Sequence, residues 1–140
     1  MQIKQPVKLY IGSICCYNTT GRWAYLMYIN NTTPATCSKG SDTVANTTNH
    51  RMELTAVIKA VQDLTQFSEI CIFTDSRYLK QCIEMGWRWL ANPNTVLCNR
   101  DLLIELNESL QDHLYKVIYI DNIMDNKYLE LAHDLAREDG

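Results

Sequence analysis

Apolar and polar positions alternate through the first third of the chain, then switch to a helical period. Lys8–Ile14 and Trp23–Ile29 read as strands, with a weaker one at Pro34–Lys39. Asn-Thr-Thr recurs at residues 18–20, 31–33 and 46–48. Asn and Thr favour turns and local caps, so these triplets predict loops bounding an antiparallel meander. From Asn49 to Leu64, the apolar residues Leu54, Val57, Ile58, Val61 and Leu64 fall on one face of an amphipathic helix, with Thr48 or Asn49 as its cap. A strand at Glu69–Thr74 follows, then helices at Ser76–Met85 and Asn99–Gln111, a strand at Leu114–Ile120 and a helix at Asn126–Ala136. The order βββαβααβα predicts an α/β fold: a mixed five-stranded sheet flanked by helices.

A chain of 140 residues suits one domain over 1–140. Its 46% hydrophobic and 21% charged residues are ordinary for a globular protein. No stretch approaches the roughly 18 apolar residues of a membrane span, and Met1–Lys8 is too polar for a signal peptide, which predicts a cytoplasmic chain with no membrane partner. The six cysteines (Cys15, Cys16, Cys37, Cys71, Cys82 and Cys98) offer no C-x-x-C pair for zinc, and reduced thiols are expected. The Asn-x-Ser/Thr triplets at Asn18, Asn31 and Asn46 are then not glycosylation sites. Net charge is −3, which argues against strong nonspecific binding to nucleic acid. The charge is uneven: residues 1–41 contain Lys4, Lys8, Arg22 and Lys39 but no acid, so all 16 acidic residues follow Ser41.

Asp75 ends a short apolar strand, at the carboxyl edge where open α/β sheets place their sites. Glu53 lies near the start of the preceding helix, so the two carboxylates could face each other. Oxygen ligands of this kind suit magnesium and phosphoryl transfer. The same residues could instead serve the helices, Glu53 as a dipole partner and Asp75 as a cap. Spacing alone leaves both open.

Local strings narrow the choice. Thr48-Asn49-His50-Arg51-Met52-Glu53-Leu54, Phe73-Thr74-Asp75-Ser76-Arg77-Tyr78, Leu9-Tyr10-Ile11-Gly12-Ser13, Gly86-Trp87 and Asn99-Arg100-Asp101-Leu102 stand in order along the chain. They resemble T-N-N-R-M-E-L, T-D-S-x-Y, Y-T-D-G-S, G-W and N-x-D-L of type 1 ribonuclease H, in register over nearly the whole chain. The resemblance implies the ribonuclease H-like fold, magnesium as cofactor and an RNA–DNA hybrid as partner. It places Glu53 and Asp75 among four metal-site acids. It also implies contacts to nucleic acid from Thr48, Asn49, His50 and Asn99, the last beside the RNA 2′-hydroxyl. As a bland alternative, Asn49 and Asn99 are good helix caps. Trp87, Arg88, Trp89 and Arg100 form an aromatic and cationic group that could meet a backbone, although at least one of these tryptophans is expected in the core.

The departures from the family pattern are as informative. Ile11 stands at the first-strand acid position, and no acid occurs nearby to replace it. The family's N-E-x-x-D-x-L-A helix, paired through Leu131-Ala132, puts Leu129 at the fourth acid. The loop Ile120–Asp125 is several residues shorter than the family's and lacks its histidine; His50, His113 and His133 are expected on the surface or as caps. The sequence therefore predicts a ribonuclease H homologue, inactive or impaired, acting as a weak nucleic-acid-binding or structural module, with at most a weak magnesium site on Glu53 and Asp75. Two alternatives accompany it. One is an active metal-dependent endonuclease using Glu130 as a third acid; the other is a protein-interaction subunit that no longer binds nucleic acid.

Overall fold

Strand β1 (Gln5–Cys15) is buried on both faces from Leu9 to Gly12, so its sequence reads there as a continuous apolar run rather than an alternation. The computed structural model describes residues 4–15, 20–29, 38–94 and 97–137. β2 (Gly21–Ile29) pairs antiparallel with β1, and β3 (Ser38–Val44) pairs antiparallel with β2. β4 (Ser68–Thr74) lies parallel to β1 on its other side, and β5 (Leu114–Tyr119) lies parallel to β4. The sheet is mixed, five-stranded and ordered β3-β2-β1-β4-β5, as the element pattern predicts. Of the expected third strand Pro34–Lys39, Ser38 and Lys39 fall in β3; the rest of that stretch, and all of the first two Asn-Thr-Thr triplets except Thr20, lie outside the described residues.

One face of the sheet carries α1 (Asn49–Gln62), with α2 (Arg77–Ala91) and α3 (Arg100–Leu110) beside it. The expected apolar stripe of α1 drives this: Leu54, Val57, Ile58 and Val61 are buried against Leu9, Ile11, Tyr25, Ile70 and Ile72. Full burial of each such side chain contributes about 1.5–3 kcal/mol. α2 runs six residues past the expected end at Met85. The apolar spacing of Leu79, Cys82, Ile83 and Leu90 continues through Gly86 and outweighs the roughly 1 kcal/mol that glycine costs a helix interior. Trp87, Arg88 and Trp89 therefore sit on a helix rather than in a connecting segment.

The opposite face carries α4 (Lys127–Arg137), begun by Asn126, whose Oδ1 accepts from Leu129 N at 3.0 Å. α4 lies so close to β1 that a Cβ on Gly12 would stand 2.2 Å from the Ala132 carbonyl oxygen and 2.6 Å from His133 N. Under it, Tyr10, Leu26, Leu129 and Ala132 form a second apolar cluster, with the Tyr10 and Phe73 rings stacked at 4.6 Å. At the far end, Arg22 Nε donates to the Ala136 carbonyl at 2.9 Å, and Nη1 to Thr43 Oγ1 at 2.7 Å. That guanidinium ties the last turn of α4 to β2 and β3, where a cation also complements the helix dipole.

Candidate active site

Glu53 stands one turn into α1 and is only 6% exposed. A buried carboxylate needs partners, and both oxygens have one. Oε1 accepts from Asn49 Nδ2 at 3.2 Å, and Oε2 from Ser76 Oγ at 2.5 Å. Burial pushes the Glu53 carboxyl up to about 7; the Ser76 hydrogen bond opposes this, and the charge of Asp75 adds to it. Ser76 is also the cap of α2, its Oγ accepting from Leu79 N at 3.1 Å. One hydroxyl thus links the start of α2 to α1, and the expected capping role of Asp75 falls to its neighbour.

Asp75, half-buried past the end of β4, meets His133 instead: His133 Nε2 lies 3.0 Å from Oδ1. Burial alone would raise the Asp75 pKa, but the hydrogen bond from His133 holds it below the ordinary carboxylate value. The other ring nitrogen, Nδ1, accepts from Ser13 N at 3.5 Å. That places the imidazole proton on Nε2, which donates to Asp75 and leaves neither nitrogen lone pair free.

Two expectations need correcting here. His133 is neither on the surface nor a cap; it is 8% exposed and sits at the site. Leu129 is not at this spot but one turn earlier, fully buried beside Tyr10 and Leu26. The signal in the sequence was a second Leu-Ala pair, Leu135-Ala136. Pairing it with the L-A of N-E-x-x-D-x-L-A also aligns Glu130 with the motif's E and puts His133 at the acid position. That pairing leaves four more residues before the helix motif, and none of them is a histidine. Ile11, 1% exposed, points into the main core with Leu9 and Trp23.

The residues expected to touch nucleic acid meet at the start of α1. Thr48 caps the helix, its Oγ1 accepting from Arg51 N at 3.2 Å. His50 stacks on Tyr78 with ring centroids 3.9 Å apart and planes 5° from parallel. Asn99, in a left-handed conformation with φ 62°, makes no cap hydrogen bond. Its Nδ2 donates to Tyr78 Oη at 2.9 Å, and its Oδ1 accepts from Arg51 Nη1 at 3.2 Å. Arg51 also pairs with Asp101 at 2.8 Å, holding that carboxylate down at about 2. Asn49 and Asn99 are therefore committed to internal partners, and neither is a side-chain cap. Arg88 lies over the ring of Trp87, which is 51% exposed, while Trp89 packs partly against the core. Arg100 is exposed in the first turn of α3, where a cation does nothing for the helix dipole. The third histidine, His113, accepts from Ser68 N at 3.1 Å and serves the backbone.

The Glu53 environment has a measurable consequence. The folded protein keeps a proton on Glu53 that the unfolded chain releases near pH 4.5, so stability falls as pH rises from about 4.5 to about 7. Glu53→Gln removes that slope and gains up to about 3 kcal/mol over wild type above pH 7. Urea unfolding of both proteins at pH 5 and pH 8 checks this; equal changes in both would show that Glu53 carries no such strain.

Comparison with known proteins agrees with this geometry. The ribonuclease H family profile matches residues 4–138. A ribonuclease H of Thermoanaerobacter sp. (strain X514) is 31% identical over 140 residues, covering 94% of this chain and 88% of the relative. Ribonuclease HI of Haemophilus influenzae (strain ATCC 51907 / DSM 11121 / KW20 / Rd) is 34% identical over 109 residues, covering 74% and 69% respectively. The crystal structure of LC9-RNase H1, described as a type 1 RNase H with the type 2 active-site motif, superposes with a TM-score of 0.79 over 96% of this chain and 71% of its own, at 19% identity. A family profile spanning residues 4–138 and a relative 31% identical over nearly the whole length show that this chain belongs to the ribonuclease H family.

Proposed function

We propose that this chain is a ribonuclease H homologue impaired in hybrid cleavage and retained as a weak nucleic-acid-binding or structural module. The observation that carries the reading is the Asp75–His133 hydrogen bond, with Ser13 fixing the ring, at a position where the family pattern asks for a carboxylate. Magnesium, implied by the family resemblance, needs several oxygen donors around one point. The donor set does not fit it. Both Glu53 oxygens and one Asp75 oxygen are already engaged, Ile11 offers no donor, and His133 has no free lone pair. Among the described residues no three His, Cys, Asp or Glu side chains converge on a metal site, so Glu130 does not complete one.

Binding rests on a thin set of groups. The Asn49 amide nitrogen and both polar atoms of the Asn99 side chain are engaged internally, leaving the His50–Tyr78 stack, Trp87, Arg88 and Arg100 for a backbone and bases. A second reading, a protein-interaction module, draws on Met124, Tyr128 and Leu131, exposed at 67%, 40% and 42% around the start of α4.

The test is cleavage and binding of an RNA–DNA hybrid by the same preparation. Neither magnesium nor manganese produces turnover above background, and neither raises the melting temperature. Hybrid binding is weak at low salt, falls steeply as salt rises, and weakens further in Arg100→Glu. Robust turnover abolished by Asp75→Asn overturns the reading. Absence of hybrid binding even at low salt moves the weight to the protein-interaction module.

A further inference from the structure

Beside the broken site, the first two turns of α2 face the end of β5 across a cavity of about 280 Å³ lined by Arg77, Lys80, Gln81 and Tyr119. The three α2 residues share a helix face by their i, i+3, i+4 spacing. Tyr119 is brought opposite them because it pairs with Thr74, the last residue of β4, three positions before Arg77. Arg77 Nε donates to Tyr119 Oη at 3.3 Å, and its guanidinium lies 5.4 Å from the centre of the Tyr119 ring. The tyrosine holds the guanidinium in place through Nε. Among the described residues no carboxylate bonds to its two terminal nitrogens, which remain as a fork.

Two acids lie at the margins. Asp121 accepts from Tyr119 Oη at 3.1 Å, and Glu84 pairs with Lys80 at 2.8 Å. The latter is an exposed i, i+4 pair that contributes little and is readily exchanged for a stronger anion. A pre-positioned guanidinium fork, an ammonium that can turn inward, a neutral amide and a hydroxyl suit a tetrahedral oxyanion. We propose that this pocket binds a phosphate group, held bidentately by Arg77 and from the side by Lys80. The phosphate comes either from a nucleic-acid backbone or from a free phosphate ester. The site goes beyond the hybrid-binding reading, because the pocket takes inorganic phosphate whether or not a hybrid binds.

Nitrogen and ring NMR signals of Arg77 and Tyr119 in the full chain report on occupancy. One titration uses inorganic phosphate; a second uses a short single-stranded oligonucleotide without terminal phosphates. Both probes move both residues if the source is a backbone, and only inorganic phosphate does so if the pocket is shaped for a free ester; either result supports the site. The double variant Arg77→Gln/Lys80→Gln, whose changes lie outside the core, keeps the folded spectrum. It loses the phosphate response, and any oligonucleotide affinity falls about tenfold, with the salt slope reduced by about one for each cation removed. Lys59→Gln, at an exposed cation in the last turn of α1, leaves the phosphate response intact. No response to either probe up to about 50 mM phosphate, or a response that survives the double variant, overturns the proposal.

Discussion

Gly12→Ala lifts α4 from the sheet and lowers stability by about 3 kcal/mol. The new methyl would stand 2.2 Å from the Ala132 carbonyl oxygen and 2.4 Å from its carbon. These are backbone atoms of a docked helix, so no rotamer change relieves the clash, and relief requires a shift of the whole element. Overpacking typically costs about 1–3 kcal/mol, and a clash with backbone belongs at the upper end or above. The shift also separates His133 from Asp75, because His133 N lies 2.6 Å from the same methyl position. Gly86→Ala is the counterpart. A Cβ there meets nothing within 4 Å, so the usual helix-interior gain of about 0.5–1 kcal/mol applies. Urea unfolding of both variants checks the pair. A Gly12→Ala protein within 1 kcal/mol of wild type would show that the helix and β1 are not locked at this contact.

Ile11→Asp combined with His133→Asp restores magnesium-dependent cleavage in part, and neither change does so alone. Metal ligands act as a unit, so a single added carboxylate leaves the site incomplete. Several kcal/mol of transition-state stabilisation separate the two states, and each 1.4 kcal/mol is a factor of ten in rate. The double variant also carries a signature independent of turnover. An unpaired carboxylate at residue 11, where the native side chain is 1% exposed, destabilises the protein without metal. Magnesium then raises its melting temperature, with about 2.7 kcal/mol recovered at a hundredfold excess over Kd. Leu129→Asp in place of His133→Asp distinguishes the two helix registers. It buries a charge among Tyr10, Leu26 and Ala132 and is expected to unfold the protein rather than rescue it. Recovery of cleavage through Leu129→Asp, and not through His133→Asp, would show that the register read from the structure is wrong.

The helix register shows where sequence reasoning reached and where it stopped. Leu131-Ala132 and Leu135-Ala136 are one helical turn apart, so hydrophobic periodicity fits both equally and cannot choose between them. What decides is the approach of β1 at Gly12, a contact spanning 120 residues that no local pattern encodes. The same limit applies to Asn49 and Asn99. Their residue type suits caps or ligand contacts, yet Glu53, one turn along the same helix, takes up the Asn49 amide, and Tyr78, brought near by the tertiary fold, takes up that of Asn99. The places of Glu53, one turn into α1, and Asp75, just past β4, were legible by contrast, because each follows directly from an element whose end the sequence marks. The α1 stripe and the strand order along the chain were legible for the same reason. The end of α2 was not, since Gly86 reads as a breaker until the burial around Leu79 and Ile83 is known.

Arg22 and Ser13 set the timing of assembly as well as its endpoint. Their bonds to Ala136 and His133 join residues 114 and 120 positions apart, among the longest loops the chain must close. On a ribosome, β1, β4 and the α1 face emerge long before α4 exists. Until residue 137 is clear of the exit tunnel, Asp75 has no imidazole beside it and the Tyr10–Phe73 stack lies open to solvent. The nascent domain therefore passes through a stage that exposes this aromatic face and keeps its acidic edge uncapped. A chaperone, or any early-binding partner, would meet a surface that the finished fold withdraws.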